Sequence, residues 1–264
     1  MLSASYNNRK VWITGASSGI GEALAVAFHR AGAKVIISAR REDELRRVQS
    51  LCGGEANTRI LPMDVTRADE LPARTREAIG MFGGLDILVL NAGISQRALV
   101  KDTGMDVYRS IMETNFFGPV GMTRAVLPFM LEKKGGHIVV ISSLVGKFST
   151  PLRSGYAASK HSLHGFFDAL RAEVARDGIE VSLVCPGFIK TNVSVNALTG
   201  DGSPHAKMDT STAKGMPADV CAAKILKGIA RHKQEFYVGG WDTYTVYIKR
   251  FFPGLFARMV ARRG

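Results

Sequence analysis

Short apolar runs alternate along this chain with longer stretches of helical periodicity. The runs occupy residues 11–14, 34–38, 59–63, 85–90, 137–142 and 180–184. Within them apolar residues stand at successive positions, as in Ile138-Val139-Val140-Ile141, which is expected of parallel strands buried on both faces. Strands that alternate with helices give βαβ order. The pattern therefore predicts an α/β fold built on a doubly wound parallel sheet.

The first predicted strand leads directly into a glycine cluster. Residues 10–14 (KVWIT) precede residues 15–21 (GASSGIG), and a helical pattern begins near Gly19. Gly15 would allow a tight turn, Gly19 a close approach of the backbone to a pyrophosphate, and Gly21 close helix packing. The N–H groups of the helix N-terminus would bind phosphate. The spacing differs from G-x-G-x-x-G and such a cluster is often only a loop, but the flanking strand and helix favour dinucleotide binding and a Rossmann-type sheet.

Tyr156 and Lys160 stand four residues apart in a segment, 156–176, that is predicted to be helical. This spacing places the phenol and the ammonium on one face, one turn apart. A free phenol has a pKa near ~10, and a neighbouring ammonium lowers that pKa. Tyr156 is thus a candidate general acid or base. The alternative for the pair alone is a surface tyrosine and a solvated lysine on an ordinary amphipathic helix.

Six motifs follow one another along the chain: residues 14–21, Asn91-Ala92-Gly93, Asn115, Ser143, Tyr156-x-x-x-Lys160 and Pro186-Gly187. Over roughly residues 10–237 they resemble the short-chain dehydrogenase/reductase family. The resemblance implies that Ser143 holds and polarises a carbonyl and that Tyr156 donates a proton. It also implies that Lys160 binds the nicotinamide ribose and lowers the pKa of Tyr156. Asn115 would hold a water that connects Lys160 to solvent, the alternative being a polar residue that kinks its helix.

The same resemblance implies a set of residues that contact the dinucleotide. Where NAD-selective relatives carry an acidic residue after the second strand, this chain has Ala39 followed by Arg40 and Arg41. A guanidinium can hold a 2′-phosphate, so Arg40 favours NADP(H). The alternative, above all for Arg41, is that the arginines begin a charged helix. The predicted cofactor-binding residues are Gly15, Ser17, Ser18, Ile20, Gly21, Arg40, Asp64, Val65, Asn91, Ala92, Gly93, Tyr156, Lys160, Pro186, Gly187, Ile189 and Thr191.

Two segments depart from the βαβ alternation. Residues 190–217 form a polar stretch longer than an ordinary connection, which favours a lid rather than a mobile surface loop without contacts. The family resemblance implies that this lid covers substrate and nicotinamide. Residues 249–264 form a basic amphipathic tail without an acidic residue. Its pattern is typical of a helix in a membrane interface, and also of a helix docked on its own core or on a partner subunit. The tail's basic residues are Lys249, Arg250, Arg258, Arg262 and Arg263, and the apolar residues predicted on one side are Leu255, Phe256, Met259 and Val260.

Composition agrees with a compact enzyme. The 264 residues, 46% of them hydrophobic and 22% charged, can bury one large core, which predicts a single domain over residues 1–264. Cys52, Cys185 and Cys221 lack C-x-x-C spacing, so reduced thiols in a cytoplasmic setting are expected, with no metal site. No long apolar stretch precedes the first strand, and neither a secretory signal nor a membrane span is expected. The net charge of +12 is not matched by any recognised nucleic-acid-binding module, and nucleic acid is not an expected partner.

The lid and tail, at residues 191–197, 201–203, 208–210 and 252–256, further resemble the family's member 7B subgroup, whose members are linked to hydrophobic carbonyl or lipid substrates. The predicted function is NADP(H)-dependent interconversion of a carbonyl and an alcohol on an apolar or lipid-like molecule, in a direction the sequence does not set. The alternative is a catalytically silent, dinucleotide-binding regulator or scaffold. The family also implies a homodimer or homotetramer paired through the helices that contain Asn115 and Tyr156. A Ser143 hydrolase is not favoured, because no G-x-S-x-G turn surrounds Ser143 and none of the six histidines has triad spacing.

Overall fold

The computed structural model of the chain describes residues 5–261. Its strands are β1 (Lys10–Thr14), β2 (Lys34–Ser38), β3 (Thr58–Ile60), β4 (Ile87–Leu90), β5 (Gly136–Ile141), β6 (Ile179–Pro186), β7 (Ile189–Lys190), β8 (Met216–Pro217) and β9 (Glu235–Val238). Seven of them form one parallel sheet in the order β3-β2-β1-β4-β5-β6-β9, while β7 and β8 pair separately. The order runs in opposite directions from β1, which creates a crevice at the carboxyl ends of β1 and β4, where ligands bind in open α/β sheets.

Helices cover both faces of this sheet. They are α1 (Gly19–Arg30), α2 (Glu42–Leu51), α3 (Leu71–Phe82), α4 (Met105–Met112), α5 (Gly118–Lys133), α6 (Ser154–Glu173), α7 (Thr210–Ala213), α8 (Ala218–Ile229), α9 (Tyr244–Phe251) and α10 (Pro253–Ala261). Along β1, Val11 and Ile13 pack in the core shared with α1, α2 and α8. Trp12, between them, packs in the opposite core with α3, α5 and α6. Because both faces of each central strand are buried, successive apolar residues are needed there, and the predicted doubly wound parallel sheet is confirmed.

The structure departs from the predicted strands mainly at the two edges of the sheet, β9 and β3. β9 was not predicted, because its four residues alternate between partly and fully buried positions and so lack a continuous apolar run. The third strand, predicted over 59–63, ends at Ile60. Beyond it the chain stays extended, with the N–H groups of Leu61 and Met63 bonded to the carbonyls of Ile37 and Ala39 at 3.0 Å each.

The stretch predicted as a lid, residues 190–217, is tied to the rest of the fold. Its two ends are joined by the pairing of β7 with β8. Near its middle, Leu198 donates its N–H to the carbonyl of Ser95 at 2.9 Å and accepts the N–H of Arg97 at 2.8 Å. Both residues follow β4, so the lid is anchored over the carboxyl ends of the strands and is not a surface loop without contacts.

The tail divides its apolar residues between the protein and solvent. Phe256 is buried and packs edge-on against Phe148, with ring centroids 5.3 Å apart. Leu255, predicted on the same side as Phe256, is 54% exposed, because adjacent residues of a helix point about a quarter-turn apart. The docked-helix alternative is therefore realised in part, and Arg262 and Arg263 lie outside the described residues. Within residues 5–261 no helix is both long enough and apolar enough to cross a membrane.

Candidate active site

Two cavities meet above the carboxyl ends of the strands. The larger, about 610 Å³, extends from the glycine turn after β1 to the lid. The smaller, about 380 Å³, lies between the turn after β5, the lid and the tail helices. Ser143 and Tyr156 line both cavities. These two hydroxyl groups therefore stand at the junction of an elongated cleft and a mainly apolar chamber.

The glycine turn forms the floor of the larger cleft through close backbone packing. Gly15 and Gly19 have φ angles of +65° and +60°, a region that side chains disfavour. A Cβ at Gly15 would lie 2.7 Å from the Cα of Ala92. Asn91 braces the turn, since its Nδ2 donates to the carbonyls of Thr14 and Gly15 at 3.1 and 3.0 Å. Any side chain at Gly15 would therefore displace the backbone that shapes the cleft.

The N-terminus of α1 opens onto this cleft with its donors uncapped by a side chain. Ser18 is the N-cap residue, and its hydroxyl accepts no hydrogen bond from the first turn. The first N–H groups of a helix have no partner within the helix, and together with the helix dipole they favour an anion. Ser17, Ser18 and Ile20 line the cleft beside them. The donors, the glycine turn and the elongated shape fit a dinucleotide whose pyrophosphate lies at the helix N-terminus.

Arg40 and Arg41 line the far end of the same cleft, after β2. Two of the three carboxylates that follow them on α2 are engaged elsewhere: Glu42 pairs with Arg46 at 2.6 Å and Glu44 with Arg47 at 2.8 Å. Within the described part of the chain, neither Arg40 nor Arg41 forms an ion pair. Arg41 is the N-cap residue of α2, so it does begin a charged helix, as its alternative interpretation states. Two guanidinium groups are thus available to an anion at this position.

The cleft brings together nearly all the residues predicted to bind cofactor. Gly21 is the exception, because it lies beneath the turn, where a Cβ would clash with the carbonyl oxygen of Gly15. Asp64 lines the cleft and accepts hydrogen bonds from the N–H and hydroxyl of Thr66 at 3.0 and 2.9 Å. The other lining residues from the prediction are Gly15, Ser17, Ser18, Ile20, Arg40, Val65, Asn91, Ala92, Gly93, Tyr156, Lys160, Pro186, Gly187, Ile189 and Thr191.

Tyr156 and Lys160 lie on one face of α6, as their spacing predicts. The Nζ atom of Lys160 is 5.8 Å from the centroid of the Tyr156 ring and donates to the carbonyl of Ile141 at 2.8 Å. Burial lowers the pKa of Lys160 to about 8. Burial also raises the pKa of Tyr156, and the Ser143 hydroxyl and two arginine charges act in the opposite direction. Those arginines are Arg153 and Arg97. The predicted lowering of the Tyr156 pKa by Lys160 stays a prediction.

The two adjacent serines after β5 point to different places. The hydroxyl of Ser143 faces both cavities, accepting the N–H of Val145 at 3.3 Å. The hydroxyl of Ser142 lies 3.1 Å from Nε2 of buried His164 and donates to the carbonyl of Lys160 at 3.3 Å. Strand alternation thus separates them as the sequence indicated.

Asn115 lies in a π-helical segment, Glu113–Phe117, and its side chain is held by three hydrogen bonds. Its Oδ1 accepts the N–H of Ile94 at 2.8 Å, and its Nδ2 donates to the Ile94 carbonyl and to the Ser159 hydroxyl at 2.9 Å each. A single unit of π-helix inside an α-helix often marks a functional position. The helix-distorting alternative thus matches the geometry, and the water-binding role of Asn115 stays a prediction.

Sequence reasoning missed a group of charged and polar residues beside Tyr156. Arg97 bonds to Asp209 through Nε at 2.9 Å, and Arg153 contacts the same carboxylate oxygen at 3.2 Å. Gln96 Oε1 accepts the N–H of Gly155 at 2.7 Å, at the start of α6. Arg153 is three residues before Tyr156, a helical spacing that could have singled it out. Arg97 and Asp209 are 112 positions apart, so no local pattern connects them.

Comparison with known proteins agrees with this geometry. The sequence profile of the short chain dehydrogenase family matches residues 9–201. The chain belongs to this family. A Drosophila melanogaster dehydrogenase/reductase SDR family protein 7-like is 43% identical to this short-chain dehydrogenase over 259 residues, covering 96% of this chain and 79% of that protein. The Mus musculus dehydrogenase/reductase SDR family member 7B is 41% identical over 262 residues, covering 97% and 81%. The resemblance to the member 7B subgroup is confirmed.

Solved structures share the fold. A short-chain dehydrogenase from Streptomyces avermitilis has a TM-score of 0.82 and 30% identity, covering 97% of this chain and 98% of that one. A short-chain dehydrogenase/reductase from Burkholderia phymatum, solved in complex with NAD, has a TM-score of 0.84 and 23% identity over 95% and 96% of the two chains. This short-chain dehydrogenase is thus an α/β oxidoreductase with the family's Rossmann-like sheet.

Proposed function

We propose that this short-chain dehydrogenase is an NADP(H)-dependent oxidoreductase that interconverts a carbonyl and an alcohol on an apolar or lipid-like substrate. The observation that carries the proposal is the position of Ser143 and Tyr156 at the junction of the two cavities. A substrate carbonyl in the smaller cavity can contact both hydroxyl groups while its carbon faces the larger cleft. A silent regulator would have no physical need for this arrangement.

The mechanism assigns one task to each side chain. Ser143 donates a hydrogen bond to the carbonyl oxygen and holds it beside Tyr156, which gives its phenolic proton to that oxygen. Lys160 binds the ribose and, with Asn115 and a water between them, returns a proton to Tyr156. A Cβ at Gly93 would lie 3.2 Å from Asn115 Oδ1 and 3.6 Å from Lys160 Nζ, so these two polar groups face one small space. The nicotinamide, when bound, supplies the hydride to carbon.

NADP(H) is proposed as the cofactor because of Arg40. Titration with NADPH and NADH, followed by nicotinamide fluorescence, is expected to show tighter binding of NADPH. Arg40→Ala should weaken NADPH binding by roughly 10- to 100-fold, the loss of a charge-assisted hydrogen bond to phosphate. NADH binding should be unchanged in the same variant.

Arg41→Ala is the matched control, because Arg41 is the neighbouring guanidinium at the N-cap of α2. It should weaken NADPH binding less than Arg40→Ala. Tighter binding of NADH by the unaltered chain would reverse the assignment of the cofactor. Failure to bind either dinucleotide would favour the regulator or scaffold alternative.

The apolar substrate is proposed from the lining of the smaller cavity. Leu144, Val145 and Phe148 line one side of it, and Phe256, Met259 and Val260 of the tail line the other. Outside the cavity, the segment of α9 and α10 leaves large apolar side chains in solvent: Tyr244, Tyr247, Phe251, Phe252 and Leu255. Lys249, Arg250 and Arg258 are interleaved with them. We therefore propose a cytoplasmic protein that binds a membrane surface peripherally through this tail.

Co-sedimentation with anionic phospholipid vesicles tests the membrane proposal. The full chain should bind, and Phe251→Ser with Phe252→Ser should bind several-fold less, because aromatic burial drives interfacial attachment. Equal sedimentation of both chains would contradict the membrane proposal.

A homodimer or homotetramer, paired through α4, α5 and α6, is also proposed, since Phe117 between α4 and α5 is 51% exposed. Light scattering of the same preparations measures its mass.

A further inference from the structure

A nearly buried cluster of charges connects the lid to the helix that carries Tyr156. Asp209, in the lid, pairs with Arg97 after β4 at 2.5 Å and with Arg153 at the start of α6 at 3.2 Å. The side chains of Arg97, Arg153 and Asp209 are 6%, 17% and 20% exposed, so their charges are largely removed from water. Two cations share one carboxylate. The three side chains of the cluster therefore carry one net positive charge, and both arginines line the smaller cavity.

The cluster is also joined to the first turn of α6 through Gln96. The carbonyl of Gln96 accepts a hydrogen bond from Nη1 of Arg97 at 2.5 Å. The side-chain Oε1 of the same Gln96 accepts the N–H of Gly155 at 2.7 Å and that of Tyr156 at 3.4 Å. A lid carboxylate is thus connected to the backbone of Tyr156 through the guanidinium of Arg97 and the residue Gln96.

We propose that Asp209, Arg97 and Arg153 form a latch that holds the lid closed, positions Tyr156 and sets the net charge beside its phenol. Whether that charge serves catalysis rests on the proposed role of Tyr156 as proton donor. The three act as positioning residues, since their effect on the reaction passes through Tyr156. When Asp209 engages both arginines, it offsets one of two cations that otherwise favour the phenolate.

The two kinds of charge in the latch have opposite effects on Tyr156. Burial raises the pKa of Tyr156, and the charges of Arg153 and Arg97 lower it. Removal of a cation at Arg153 must therefore raise this pKa further. Removal of the carboxylate at Asp209 leaves two unpaired cations and must lower it.

Other ionisable groups lie near the phenol on the elements packed around it. Lys160 is bonded to a backbone carbonyl on the cofactor side. Asp242, after β9, lines the smaller cavity and accepts backbone N–H groups. Cys185 of β6 lies beneath, and burial raises the pKa of its thiol to about 12. His205, in the lid, has Nε2 4.0 Å from Oδ1 of Asp209. Helix α10 contributes only apolar side chains to the cavity.

Ultraviolet titration of tyrosinate in the full chain tests the latch without any substrate. Subtracting the curve of Tyr156→Phe isolates Tyr156 from the other five tyrosines. Arg153→Gln should raise the Tyr156 pKa and Asp209→Asn should lower it, each by roughly one pH unit. Arg153→Lys should restore the original value, since it keeps the charge. Arg250→Gln, which removes a cation from the tail, is the matched control and should leave it unchanged.

A purely structural role gives a different result. A loosened lid would admit water to Tyr156 and, by relieving its desolvation, lower the pKa in both variants. The latch proposal is therefore overturned if the Tyr156 pKa falls or does not change in Arg153→Gln. It is also overturned if that pKa rises or does not change in Asp209→Asn. If Arg153→Gln does not fold, Arg97→Gln should raise the Tyr156 pKa in the same way. If Arg97→Gln does not raise it, the latch proposal is wrong. Because this titration needs no turnover, an absence of oxidoreductase activity would refute the proposed function and leave the latch testable.

Discussion

Tyr156→Phe is expected to reduce kcat for carbonyl reduction by about 10²- to 10⁴-fold, the usual contribution of a positioned general acid. The substitution removes one hydroxyl and keeps the ring, which packs against the buried cluster of Leu144, Val145 and Phe148. Stability and dinucleotide affinity should therefore change little. The measurement is steady-state oxidation of NADPH with an apolar ketone found by screening the unaltered chain, together with fluorescence titration of the cofactor.

The matched control for this prediction is Tyr244→Phe. The Tyr244→Phe substitution also removes only a hydroxyl, but the side chain of Tyr244 is 57% exposed at the start of α9. Its kcat should equal that of the unaltered chain. If Tyr156→Phe retained full activity, the proton would have to come from another group, and the proposed mechanism would be wrong.

The expected pH dependence of reduction follows from the same residue. Tyr156 must be protonated to donate, so kcat should fall as pH rises through the pKa of Tyr156. Burial raises that pKa and so extends the active range to higher pH. A buried Lys160, with its pKa lowered to about 8, loses its charge in the alkaline range as well. Both residues therefore shape the alkaline side of the observed profile.

The sheet could be predicted from sequence because burial on both faces forces a continuous apolar run. β5 is buried along residues 137–141, and this is the run Ile138-Val139-Val140-Ile141 that the sequence displays. The edge strand β9 could not be found in the same way, since Glu235 and Tyr237 are only partly buried. The pattern of apolar residues in a strand depends on which of its faces are buried, and in this edge strand partly buried and fully buried residues alternate.

In the site, too, some residues could be predicted from local sequence spacing and others could not. Tyr156 and Lys160 could be placed because helix geometry fixes the relation between residues four apart. The pairing of Arg97 with Asp209 depends on how the lid folds back over the sheet, through contacts such as those of Leu198 with the segment after β4. These are long-range contacts that leave no periodic trace. The sequence alone therefore indicates that the charged residues of the lid are solvated, whereas the fold places them beside the cavity.

Gly15→Ala is expected to weaken dinucleotide binding by roughly tenfold or more, equivalent to about 1.4 kcal/mol. Two costs arise at this position. A residue with a Cβ is strained at a φ of +65°, and the new methyl group would lie 2.7 Å from the Cα of Ala92. The methyl group would push apart the turn after β1 and the segment after β4, which together form the floor of the cofactor cleft.

Gly83→Ala separates these two costs. Gly83 ends α3 with a φ of +67°, and a Cβ there would meet nothing within 4 Å. It should lose roughly 1–2 kcal/mol of unfolding free energy from the left-handed backbone alone, with dinucleotide affinity unchanged. Gly15→Ala should lose more stability than this and lose affinity as well. Thermal unfolding with and without NADPH measures both quantities. If the two variants bound NADPH equally well, the contact between Gly15 and Ala92 would not shape the cofactor cleft.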